Sequence, residues 1–161
     1  MTTGQVGPAA GTDGVALKIG IIASRFNPEI TESLLSGSLR TLSEQGVRRD
    51  AIWVFRTPGA FEIPGLAKQV WRRHHFDALI CLGAVIRGET PHFHYICTEV
   101  SRGIGQLSLE LGVPVLFGIL TTDSLAQAQA RSGEKVNKGA EAAMAAIEMA
   151  RTYQKISLPS G

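Results

Sequence analysis

Four short segments concentrate the residue types that could do chemistry on a small, flat, charged molecule. The richest is Gly83-Ala84-Val85-Ile86-Arg87-Gly88-Glu89-Thr90-Pro91-His92-Phe93-His94. Gly88 permits a tight turn, and free backbone N–H groups with the Thr90 hydroxyl can hold a phosphate at a helix start. His92 follows within reach, and imidazole, which titrates near neutrality, is the usual proton-transfer group. His92 and His94 could also ligate a metal, but no acidic or cysteine partner stands at ligand spacing. Surface or satisfied core histidines are the plain alternative.

The second segment, Pro58-Gly59-Ala60-Phe61-Glu62-Ile63-Pro64, reads as a turn that opens a helix, where the first N–H groups lack partners. Glu62 could accept hydrogen bonds from a polyhydroxyl ligand, or it could complement the helix dipole. The other two segments supply aromatics: Arg25-Phe26-Asn27 and Phe117-Gly118-Ile119-Leu120-Thr121-Thr122-Asp123. Phe26 and Phe117 could wall a flat pocket or cover the sheet as core. Arg131 suits bidentate phosphate contact, and Lys138 carries a charge nearby; either could equally be a solvated surface cation.

Several familiar sites are missing. No GxGxxG follows a strand pattern, no GxxxxGK[ST] or GxSxG occurs, and no cysteine lies beside a plausible base. The inventory is a flat-ligand pocket, a phosphate-holding loop and one proton carrier. It points to cofactor-free chemistry on a small phosphorylated substrate.

These segments fall where apolar runs end. Leu17–Ala23 is short, β-branched and almost wholly apolar, as a strand buried on both faces should be, and Ile52–Phe55, Ala78–Ile86 (the most apolar) and Val113–Leu120 read as three further strands. Between them, apolar residues recur at helical spacing, as in Ile30, Leu34, Leu35, Leu39 and Leu42. A helix is predicted from about Glu62 to Arg73, with Pro64 in its first turn. Ile96, Val100, Ile104, Leu107 and Leu111 mark one face of the next. Gly46 and Gly112 suit C-terminal caps. Thr121 to Ser124 and Asn137 suit the starts of a short helix and a long alanine-rich one. The order β-α-β-α-β-α-β-α-α predicts an α/β fold: a three-layer α/β/α sandwich with a four-stranded parallel sheet and flavodoxin-like winding. Ligands of such sheets bind beyond the carboxyl ends of the strands, near the switch point.

The chain has 161 residues, 44% hydrophobic and 19% charged, which is one globular domain's worth. We expect a flexible arm over residues 1–14 and a single catalytic domain over 15–161. The first 14 residues fit neither a secretory signal nor a transit peptide. A net charge of +2 offers no footprint for nucleic acid. No apolar run approaches the ~18 residues of a membrane span. Cys81 and Cys97 read as reduced, buried thiols. A soluble, cytoplasmic protein is expected.

Together and in this order, RFN, PGAFEIP, GAVIRGETPH, FGILTT and NKG resemble the lumazine synthase family over residues 16–156. The resemblance implies a cofactor-independent and metal-independent transferase of riboflavin biosynthesis, acting at its penultimate step. The family joins 5-amino-6-(D-ribitylamino)uracil to 3,4-dihydroxy-2-butanone 4-phosphate, giving 6,7-dimethyl-8-ribityllumazine, phosphate and water. By motif position, Phe26 would stack on the pyrimidine. Ala60, Phe61 and Glu62 would line the ribityl and ring site, and Ala84, Val85 and Ile86 would present backbone groups to the pyrimidine edge. Glu89 and Thr90 would hold the butanone phosphate, with Arg131 as cationic clamp, and His92 would transfer protons. Phe117 would come from a neighbouring subunit and close the pocket.

The resemblance also implies a homo-oligomer, a pentamer or a 60-subunit icosahedral shell, with sites shared between adjacent subunits. One departure bears on this. Ser132-Gly133-Glu134-Lys135-Val136-Asn137 is one residue shorter than the bend common in capsid-building members. Two competing readings are a scaffold that keeps the fold without the chemistry and a flavin-binding module. A scaffold has no need of Phe26, Glu62, His92 and Arg131, and a flavin module would be yellow without turnover.

Overall fold

The computed structural model describes residues 13–157. The four apolar runs form β1 (Ile19–Ser24), β2 (Ile52–Thr57), β3 (Ala78–Ile86) and β4 (Val115–Thr122). All pair in parallel, in the order β2-β1-β3-β4, which is the flavodoxin-like winding. The helices are α1 (Pro28–Glu44), α2 (Ile63–Arg73), α3 (His92–Glu110), α4 (Leu125–Arg131) and α5 (Lys138–Ser157).

Side chains alternate across the sheet and build two cores. On one face Ile19, Ile21 and Ile80 pack with Leu34 and Leu42 of α1 and Ile147 of α5. On the other Ile22, Leu79 and Cys81 pack with Ile63 and Val70 of α2 and Ile104 of α3. β1 is central, so all six of its residues are buried, whereas edge strand β2 exposes Trp53 and Val54. The α1–α5 contact is so close that a Cβ on Gly139 would lie 2.0 Å from the Leu34 carbonyl oxygen.

The caps follow the residue types. Gly46 (φ +90°) and Gly112 (φ +69°) adopt the left-handed backbone that ends α1 and α3. Ser124 Oγ accepts from the Gln127 N–H, and Asn137 Oδ1 from the Ala140 N–H. Pro64 lies in the first turn of α2.

Several boundaries differ from the sequence reading: β1 ends at Ser24 rather than Ala23, and β2 runs on to Thr57 rather than stopping at Phe55. β1 starts at Ile19 rather than Leu17, because Ala16 turns through φ 65° and Leu17 donates back to the Gly14 carbonyl. β4 is shifted two residues along. Thr121 and Thr122 continue the pairing opposite Val85 and Ile86, while Val113 and Pro114 stay outside the strand. Short 3-10 turns at 49–51 and 60–62 were not anticipated. Of the expected arm, residues 1–12 lie outside the described residues. Gly14 donates to the Gln45 carbonyl, and Arg151 Nε donates to the Asp13 carbonyl. Among the described residues, no helix is long and apolar enough to cross a membrane.

This topology sets the site. The chain leaves β1 for α1 on one face and leaves β3 for α3 on the other, so a crevice opens between their carboxyl ends.

Candidate active site

The crevice has a volume of about 400 Å³ and is walled by the loops after β1, β2 and β3. The β1 loop contributes Phe26, which is 69% exposed and therefore not core. Its backbone explains this. Phe26 donates its N–H to the Pro58 carbonyl at 3.0 Å, and Asn27 then turns through φ 57°. Asparagine tolerates that left-handed backbone better than most residues. Asn27 Nδ2 also donates to the Ala84 carbonyl at 3.0 Å, tying the loop across the switch point to β3.

After β2, Ala60, Phe61 and Glu62 form a single 3-10 turn along the wall. Glu62 Oε2 accepts from the Gly59 N–H at 3.1 Å. The carboxylate thus serves the local turn and, thus aimed, keeps accepting capacity at its other oxygen.

β3 outruns β1. Their pairing stops at Ala23–Leu82, so the edge of Gly83 to Ile86 that faces β1 has no strand partner. Ala84, Val85 and Ile86 all line the crevice. The Ala84 carbonyl is occupied by Asn27, which leaves the neighbouring backbone groups for a ligand.

The loop beyond β3 brings Gly88 and Thr90 to the wall, but Glu89 is not part of it. α3 starts directly at His92, and Pro91 before it provides no side-chain cap. The His94 N–H donates back to the Pro91 carbonyl at 3.0 Å, so among the described residues the His92 and Phe93 N–H groups at the helix start are the ones available to an anion. His92 is exposed, lines the crevice and makes no side-chain hydrogen bond among the described residues. His94 instead contacts Arg87, with Nε2 2.9 Å from Nη1. Among the described residues, no group of three or more His, Cys, Asp or Glu side chains is placed to hold a metal ion.

Phe117 and Arg131 are elsewhere in the protomer. They line a second depression of about 480 Å³ along the outer edge of β4, with Thr121, Lys138 and Glu141. Phe117 is not at a strand end, as its motif suggested, but is the third residue of β4, and it is 46% exposed. Arg131 Nη1 donates to the Gln127 carbonyl at 2.9 Å, and Lys138 Nζ pairs with Glu141 Oε2 at 2.7 Å. The crevice itself has no Lys or Arg in its described wall.

Some wall residues escaped the sequence reading. Phe93 and Ile96 line the crevice from α3, and Glu141 lines the second depression. Phe93 neighbours His92 and could have been found by that proximity. Glu141 sits on an alanine-rich helix and gives no local signal. Both cysteines lie outside the site walls. Burial pushes the Cys81 thiol up to about 12. It also raises Cys97, against a weaker opposing pull from Arg87.

A family model described as 6,7-dimethyl-8-ribityllumazine synthase matches residues 16–154, nearly the whole chain and every loop that walls the crevice. The all-parallel four-stranded sheet agrees with that match. The chain belongs to the 6,7-dimethyl-8-ribityllumazine synthase family, whose chemistry is lumazine formation in riboflavin biosynthesis.

Proposed function

We propose that this protein condenses 5-amino-6-(D-ribitylamino)uracil with 3,4-dihydroxy-2-butanone 4-phosphate. The products are 6,7-dimethyl-8-ribityllumazine, inorganic phosphate and two waters. One observation carries this reading: an exposed aromatic ring, a carboxylate, an unpaired strand edge and a free imidazole share one crevice. Phe26 stacks on the pyrimidine, whose edge meets the backbone of Ala84 to Ile86. Glu62, with Ala60 and Phe61 beside it, accepts from ribityl hydroxyls. Thr90 and the N–H groups at the start of α3 receive the phosphate. Glu89 contributes only its backbone, since its carboxylate repels a phosphate.

The substrate amine adds to the butanone carbonyl and loses one water to form an imine. A proton then leaves carbon, phosphate departs, and the second amine closes the ring with loss of the second water. His92, whose side chain makes no hydrogen bond among the described residues, takes and returns these protons. Holding both substrates against one wall supplies the orientation.

The missing element is a cation for the phosphate. Family membership implies oligomeric assembly. On our reading, a neighbouring copy presents Phe117 and Arg131 from its β4 edge and closes the crevice. Such sharing suits a homopentamer, free or built into a shell. The test is to mix both substrates with purified protein and follow lumazine absorbance alongside phosphate release. We expect one phosphate per lumazine. No turnover, or a yellow protein that retains flavin without turnover, contradicts the assignment.

A further inference from the structure

The loop from Gly88 to Pro91 carries Thr90 and leads into His92, yet it is exposed along its whole length. A Cβ added at Gly88 would meet nothing within 4 Å. With little packed against the loop itself, its shape has to be set at its two ends. Arg87 touches both. Just before the loop, its backbone N–H donates to the Thr122 carbonyl at 2.8 Å and its Nε donates to Asp123 Oδ1 at 2.6 Å. Just after the loop, Nη1 lies 2.9 Å from His94 Nε2, and the guanidinium carbon sits 4.5 Å from the Phe93 ring centroid. A guanidinium has only donors, so His94 Nε2 accepts. The planar fork can make these contacts at once, which an ammonium cannot.

We propose that Arg87, oriented by Asp123, is a positioning residue that staples the two ends of this loop. The staple sets Thr90 and the first turn of α3 against the crevice and aims His92 at the reacting atoms. Arg87 is not part of the crevice wall. The inference rests on the lumazine-forming reading of that crevice.

A direct electrostatic role for Arg87 makes the opposite prediction for Asp123. If Arg87 simply attracted phosphate, Asp123→Asn would free its charge and tighten butanone phosphate binding. A staple loosened by Asp123→Asn weakens that binding. The experiment compares the full-length protein with Asp123→Asn, Arg87→Lys and Arg87→Ala, by amide hydrogen exchange over residues 88–94 and by steady-state kinetics. Arg87→Ala should speed exchange there by about tenfold. It should lower kcat about tenfold to a hundredfold and raise the KM for the butanone phosphate, leaving the pyrimidine KM unchanged. Arg87→Lys should rescue little, and Asp123→Asn should shift exchange and KM in the same direction by less. Unaltered exchange in Arg87→Ala, full rescue by lysine, tighter butanone phosphate binding in Asp123→Asn, or faster exchange with wild-type kinetics overturns the staple. If the wild-type protein itself forms no lumazine, the functional reading fails, and the exchange comparison still decides whether Arg87 holds the loop.

Discussion

The crevice between β1 and β3 is walled by one protomer's own loops from three strands, whereas the β4 depression lies along the outer edge of the sheet. The first has an aromatic, a carboxylate, a free strand edge and an imidazole, but no Lys or Arg among the described residues of its wall. The second has two cations and an aromatic, but it lacks the switch-point geometry that makes a ligand crevice. The second supplies the cations absent from the first's described wall, and the first supplies the imidazole absent from the second's. An edge strand is also where one copy of a chain most readily meets another. The contrast supports our proposal that two copies of the chain combine these clusters into one site.

The sharpest way to break this comparison is Arg131→Ala. Losing a charge-assisted, bidentate phosphate contact costs about 3–4 kcal/mol, so butanone phosphate affinity should fall about 10²- to 10³-fold. Pyrimidine affinity should stay within about threefold. Equal losses for the two substrates would place Arg131 outside the phosphate site. Next comes His92→Ala, which should lower kcat about 10²-fold because water replaces a positioned proton carrier only partly. Pyrimidine affinity, measured by titration, should hold, and undiminished turnover would remove His92 from the mechanism. Phe26→Ala should do the converse, weakening the pyrimidine by about 0.5–1.5 kcal/mol of stacking beyond area burial and sparing the phosphate. A loss confined to the phosphate substrate would argue against stacking.

The smallest effect concerns the cysteines. Cys81 is paired in register with Phe117 beneath the β4 depression, while Cys97 is on α3, which walls the crevice. Burial lifts Cys81 from 9.0 to about 12, so the native state keeps a proton that the unfolded chain releases. The stability this gives is complete below about pH 9 and is lost as pH rises toward 12. At pH 8, a thiol reagent should label Cys97 in the native protein and leave Cys81 unmodified, read by mass spectrometry. Equal labelling would mean that the sheet between the two regions opens.

Much of this was legible in the sequence, for physical reasons. Ala78–Ile86 is uniformly apolar because β3 is covered on both faces, and its limits came out as read. The caps at Gly46, Gly112, Ser124 and Asn137 follow from the backbone angles and hydrogen bonds those residues make. The β4 boundary was less legible. Thr121 and Thr122 resemble cap residues, but parallel pairing with β3 keeps them in the strand. Phe26, Glu62, Thr90 and His92 stand just after strands, so topology alone brought them together. The separation of Phe117 and Arg131 was not readable locally, because it depends on β4 being the outer strand. Nor was the Asn27 link to Ala84, which joins residues 57 apart in the chain.

Co-assembly tests the central claim most directly. Protein carrying His92→Ala has a broken crevice and an intact β4 edge, and protein carrying Arg131→Ala has the reverse. Mixed oligomers made from equal amounts should recover about a quarter of wild-type turnover, since one pairing in four unites two intact halves. If activity never exceeds the sum of the two variants alone, although mixed oligomers form, each site is built within one protomer and the shared-site account is wrong.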